Sequence, residues 1–240
     1  MTLAAQELAL AGRLQGVSCA FRRQKITAIC GPNGAGKSSL LAALAGLLPV
    51  DGGAVMLDER ALAQHPDRAR RIGYLPQQPE IAWDVTVRSL VELGRIPHRD
   101  RAAAPVEAAL SALDLQDFAD RRAQALSGGE QARVLLARVL AGEPDWVLAD
   151  EPLAALDLAH QQALVGHLRK AADRGAGVVL VLHDLALAMN HADRVLVLDE
   201  GQLVVDAPPE QALTSDRIRT IWGVETRWLG ENGNRALASV

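Results

Sequence analysis

A run of apolar residues, KITAIC at positions 25–30, passes directly into GPNGAGKSS at 31–39 and then into LLAALAGLL at 40–48. The first run reads as a buried strand and the last as a helix, so the glycine-rich stretch closes a strand onto a helix start. That unit constrains the fold more than any other part of the chain. Gly31, Gly34 and Gly36 let the backbone turn tightly and bring N–H groups onto phosphate oxygens, and a helix beginning near Lys37 adds its positive end. The loop as a whole, Gly31, Pro32, Asn33, Gly34, Ala35, Gly36, Lys37, Ser38 and Ser39, is a candidate nucleotide-phosphate cradle. Lys37 supplies a point charge for the outer phosphates, and the Ser38 hydroxyl suits Mg²⁺.

Two further apolar runs end in polar residues. WVLA at 146–149 leads into Asp150 and Glu151, and VVLVL at 178–182 leads into His183 and Asp184. In open parallel sheets ligands bind beyond the carboxyl ends of strands, so these endings and the Gly31 loop are expected to converge. Asp150 can hold Mg²⁺ directly or through water, and Glu151 can orient and deprotonate an attacking water. Taken alone, Asp-Glu after a strand is an ordinary solvated strand end, and a lone histidine an ordinary hydrogen-bonded one.

Strand-like runs alternating with helical patterns give an α/β fold. Between residues 77 and 141 the texture changes: 85–94, 106–113 and 130–141 read as helices, with breakers at Pro97, Pro105 and 127–129. This is expected to be a helical lobe inserted into one domain whose sheet core takes up residues 1–76 and 142–240. A chain of 240 residues, 49% hydrophobic, is long enough for one sizeable core. Beyond residue 192 two strands joined by a turn at 199–201 are expected, then a helical stretch over 209–222, with residues 230–240 loosely ordered.

Several function classes fall away. A net charge of -4 supplies no field that attracts nucleic acid, and the short arginine runs near 68–71 and at 121–122 read as solvated faces. Cys19 and Cys30 lack metal-ligand spacing and read as small core residues in a reducing compartment. The start of the chain lacks the pattern of a signal peptide, and no stretch of about eighteen apolar residues runs without a charge. Action at a membrane would therefore need another chain to cross it.

LSGGE at residues 126–130 lies between the phosphate loop and the Asp150-Glu151 pair. Ser127 is a good N-cap, Gly128 and Gly129 remove side chains that would obstruct a phosphate, and Glu130 opens the helical run EQARVLLARVLA. The order of phosphate loop, LSGGE and acidic pair resembles the ATP-binding cassette (ABC) ATPases, and the resemblance runs over nearly the whole chain, residues 14–228. It implies a P-loop NTPase of the ABC type, with a mostly parallel sheet core, β elements at the N-terminus and an inserted helical lobe. It further implies ATP and Mg²⁺ as cofactors, with Ser127, Gly128, Gly129 and Glu130 completing the ATP site of a second copy in a head-to-tail homodimer. His183 matches the family's switch histidine, Asp157 its D-loop, and Gln77 or Gln78, with Gln77 favoured, its Mg²⁺-contacting Q-loop glutamine. Residues 81–98, with Trp83, match the region that receives a helix of the membrane subunit.

YLPQ, GRIPH, EPLAALDLAHQ and IWGVE are most similar to the importer ATPases for iron chelates, haem and cobalamin. By that resemblance the chain is expected at the cytoplasmic face of the inner membrane, as a peripheral partner of permease subunits and, indirectly, of a periplasmic binding protein. Importers of other cargo and soluble ABC ATPases are the alternatives; the latter would carry a coiled coil, a zinc module or a second cassette. Three positions depart from the family. Phe21 is the only aromatic residue ahead of the phosphate loop where an adenine-stacking one is usual, Ser39 stands for Thr, and Leu153 stands for Thr.

Overall fold

The computed structural model describes residues 1–77, 81–82, 84–154 and 156–240; Gln78, Trp83 and Ala155 lie outside the described residues. Strands β1 (Thr2–Leu10) and β2 (Leu14–Arg22) form a hairpin, and β3 (Ile26–Cys30) leads through the glycine loop into α1 (Lys37–Leu44). Next come β4 (Gly52–Leu57), β5 (Arg60–Ala61), α2 (Arg68–Arg71) and β6 (Ile72–Leu75). Helices α3 (Val87–Glu92), α4 (Ala103–Ala112) and α5 (Gly128–Ala141) follow. The chain then runs through β7 (Trp146–Asp150), α6 (Leu158–Asp173), β8 (Gly177–Val181), α7 (Leu185–His191), β9 (Arg194–Asp199) and β10 (Gln202–Ala207). It closes with α8 (Pro209–Ala212), α9 (Ser215–Trp222), β11 (Thr226–Leu229) and β12 (Ala236–Ser239).

The central sheet has the order β10-β9-β3-β8-β7-β6 and is parallel except for β10 at its edge. Every residue of β3, β7 and β8 is buried, as a strand covered on both faces requires. One face packs Ile29, Leu148, Val179 and Leu196 onto α1 and onto an antiparallel sheet of order β2-β1-β4-β5. The other packs Ala28, Cys30, Val147 and Leu180 onto a core that continues through α6 and α7 into the helices of residues 87–141. Because β3, β8 and β7 are neighbours, the three polar endings read from the sequence emerge side by side.

Three expectations change. Residues 230–240 are not loose: β12 pairs with β11, Trp228 against Leu237, and the hairpin is tied down by the Trp228 indole N–H donating to the Leu213 carbonyl at 2.6 Å. Asn190 grips the backbone of Arg235 from both sides, each bond 2.8 Å. The helix expected over 85–94 is α3 only as far as Glu92, after which the chain tightens to a 3₁₀ run, Leu93–His98, that accommodates Pro97. The arginine runs are not merely solvated. Arg71 bridges Asp58 and Asp145 at 2.6 and 2.7 Å, and Arg121 lies 4.8 Å over the Phe118 ring. Cys19 and Cys30 are free and buried, and burial pushes both thiols up to about 12.

Candidate nucleotide site

The loop after β3 is shaped by what surrounds it. At Gly31 (φ 147) a Cβ would strike the Leu198 carbonyl, and at Gly36 (φ 93) it would strike the Arg13 carbonyl, so both positions exclude a side chain twice over. Gly36 then serves as the N-cap of α1. Lys37 is 5% exposed and curls back beneath the loop, its Nζ donating to the carbonyls of Gly31 and Pro32 at 2.9 and 2.8 Å. Burial lowers its pKa, and the nearby Glu151 and Asp150 charges oppose that shift. The Ala35 side chain is buried in the core and its N–H bonds Pro32, so Ala35 contributes the shape of the loop and no side-chain contact.

Across the ends of β7 and β8, the Ser38 hydroxyl donates to Asp150 Oδ1 at 3.1 Å. Asp150 is 4% exposed; burial raises its pKa, Glu151 adds to that, and the Ser38 bond opposes it. Glu151 follows in the left-handed region at φ 48, its N–H donating to the Val181 carbonyl of β8 at 3.2 Å. That backbone turn brings its carboxylate over the loop. One oxygen lies 2.5 Å from His183 Nε2 and the other accepts from Gln77 Nε2 at 2.8 Å. Phosphate loop, acidic pair, histidine and glutamine, read from four separate stretches of sequence, thus form one connected group.

A cleft of about 380 Å³ opens over this group, lined by Asn33, Gly34, Gly36, Lys37, Ser38, Ser39, Glu151 and His183, and also by Gly12 and Arg13. The last two were not singled out in the sequence; nothing in a hairpin turn's composition marks them. Phe21, within β2, is fully buried, so it does not face a base here. The donors Ser38, Asp150 and Gln77 are oxygen-bearing groups of the kind a hard cation takes. Among the described residues no cluster of three or more His, Cys, Asp or Glu side chains could hold a metal by itself. Mg²⁺ fits such a site when phosphate oxygens and water complete its shell.

Ser127, Gly128, Gly129, Glu130 and Asp157 do not line the cleft. Ser127 and Glu130 form a reciprocal capping box at the start of α5, with the Ser127 N–H donating to Glu130 Oε2 at 2.8 Å. Asp157 caps α6 by accepting from the His160 N–H at 2.9 Å, and its carboxylate also holds His160 Nδ1 at 2.7 Å. The His160 ring lies where a Cβ on Gly129 would go, joining the LSGGE turn to the cap of α6.

Comparison with known proteins decides the family: residues 14–154 match the ABC transporters. The chain belongs to the ABC transporter family. This ABC ATPase is similar to the hemin import ATP-binding protein HmuV of Rhodococcus jostii, 43% identical over 217 residues, which covers 88% of this chain and 74% of that protein. Among solved structures, a metal-chelate type ABC transporter in an inward-facing conformation shares the fold with a TM-score of 0.84 and 25% identity, over 100% of this chain and 96% of that one. A dimeric ATP-binding cassette bound to ADP and Pi aligns with a TM-score of 0.77 and 26% identity, over 86% and 98% of the two chains. The fold is that of a nucleotide-binding ABC ATPase, and no helix among the described residues is long and apolar enough to cross a membrane.

Proposed function

We propose that this chain is the ATP-hydrolysing subunit of a haem importer, acting as a homodimer on permease subunits at the cytoplasmic face of the membrane. The observation that carries the catalytic part is the single bonded group formed by Ser38, Asp150, Glu151, His183 and Gln77 above the Lys37 loop. The cargo is supported by likeness to the hemin import protein. A metal chelate such as a siderophore complex or cobalamin is the second reading, supported by likeness to the metal-chelate transporter.

In this reading the N–H groups of residues 31–38 and the α1 N-terminus cradle the triphosphate, and Lys37 turns from its two carbonyls to the outer phosphates. Ser38 and Asp150, joined by Gln77, hold Mg²⁺, which neutralises charge on the phosphates when bound. Glu151 takes the proton of the attacking water, and His183 keeps that carboxylate and the water in line. The LSGGE turn, set apart from its own cleft, offers its helix N-terminus to the γ-phosphate in the second copy, and Asp157 lies beside that contact. Closure on ATP and release after hydrolysis then drive the permease, which receives cargo from a substrate-binding protein outside.

The test is reconstitution with the permease in lipid vesicles. Glu151→Gln is expected to keep ATP bound while turnover falls about 10²-fold or more; unchanged turnover removes Glu151 from the role of base. ATP-dependent accumulation of haem by the wild type is the expected cargo result, and accumulation of cobalamin or a ferric siderophore in its place would overturn the haem assignment.

A further inference from the structure

The sheet order gives the cleft a direction. The loop after β3 stands at its middle, with β8 and β7 on one side, carrying His183 and Glu151, and β9 and β10 on the other. Arg13, in the turn between β1 and β2, is fixed to that second side. Its carbonyl lies where a Cβ on Gly201, in the β9–β10 turn, or on Gly36 would go. Gln15 adds an N–H bond to the Gly201 carbonyl at 2.8 Å and a side-chain bond to the Glu200 carbonyl at 2.7 Å. The turn is therefore anchored by backbone, Arg13 is among the residues that line the cleft, and its exposed side chain donates to no acceptor among the described residues.

A triphosphate whose terminal phosphate faces Glu151 and His183 must extend its nucleoside across the loop to the opposite side, where Arg13 stands. No Phe, Tyr or Trp side chain among the described residues lines the cleft, and with the His183 ring bonded to Glu151, the Arg13 guanidinium is the largest planar group free to lie on a base there. We propose that the Arg13 guanidinium stacks on the adenine of bound ATP and supplies the base recognition of this site. A guanidinium is planar, weakly hydrated and suited to lie on a π-face, which an ammonium is not. The inference rests on the reading of the cleft as an ATP site.

Titration calorimetry at one ionic strength, using ATP and inorganic tripolyphosphate as separate probes, tests it. Arg13→Ala is expected to weaken ATP about tenfold while leaving tripolyphosphate unchanged, since stacking acts on the base alone. Arg13→Trp is expected to recover most of the ATP affinity, and Arg13→Lys little of it. Equal weakening of both probes, with recovery by Arg13→Lys, would show a charge on the phosphates and overturn the proposal. Lys37→Ala separates the two levels: if it abolishes binding of both probes while Arg13→Ala changes neither, the cleft stands and the role of Arg13 falls. If neither variant changes binding, the cleft reading falls and the proposal with it.

Discussion

Gly128 and Gly129 look equivalent in LSGGE, yet they are glycine for different reasons. A Cβ at Gly128 would meet nothing within 4 Å, so within the chain no side chain or backbone forbids one there. At Gly129 the same atom would enter the His160 ring, and the backbone there is not left-handed, so the constraint is steric. Overpacking of this kind costs about 1–3 kcal/mol, enough to turn the ring or shift the start of α5. Gly129→Ala is therefore expected to lower both the melting temperature and ATP turnover, and His160→Ala added to it to restore the melting temperature. A Gly129→Ala protein that melts like the wild type would show that the ring moves aside freely. The motif was legible from its spacing; the reason for its second glycine was not, because His160 lies thirty-one positions on and gives no sign that its ring packs there.

Among the elements, β3, β7 and β8 could be read with only shifts of a residue at their ends, since strands buried on both faces leave near-continuous apolar runs. The β11–β12 hairpin escaped notice because four-residue strands carry too short an alternation, and its anchors at Leu213 and Asn190 are distant in sequence. Another such link, Asp193, ties the start of β3 to α6 and β9. It accepts the Ile26 N–H at 2.8 Å, bonds Arg169 at 2.9 and 3.0 Å, and pairs with Lys25 at 3.3 Å. Burial alone would raise its pKa, but the Arg169 bond, the Ile26 N–H and Lys25 together hold it below the usual carboxylate range. A depressed carboxylate binds fewer protons folded than unfolded, so its stabilisation is complete above the unfolded value near 4 and fades as pH falls through the folded value. Asp193→Asn is expected to cost about 1 kcal/mol at pH 7, the side chain being still in touch with water. The gap between the two proteins in urea midpoints should close below about pH 4; a gap that persists unchanged into acid would mean that the charge contributes nothing.

At the scale of the whole molecule, two helix N-termini suited to phosphate, those of α1 and α5, belong to one chain but not to one cleft. Lys37, Ser38, Asp150, Glu151, His183 and Gln77 gather at the carboxyl ends of the central strands, while the capped start of α5 is held apart by its own box and by His160. A second copy related by a twofold axis would bring each α5 start to the other's cleft, so ATP would be the main adhesive between subunits that otherwise separate. Ser127→Arg tests that arrangement. The substitution removes the cap, worth about 1 kcal/mol of local stability, and puts bulk where the partner's phosphate would lie, yet it touches nothing in its own cleft. In the Glu151→Gln background, where ATP persists, sedimentation is expected to show a dimer with ATP and a monomer without it. Adding Ser127→Arg is expected to leave a monomer in both cases while ATP binding to the single subunit stays near its original strength. An ATP-dependent dimer that survives the substitution would place the second half of the site elsewhere and remove the reason for reading LSGGE as acting across the interface.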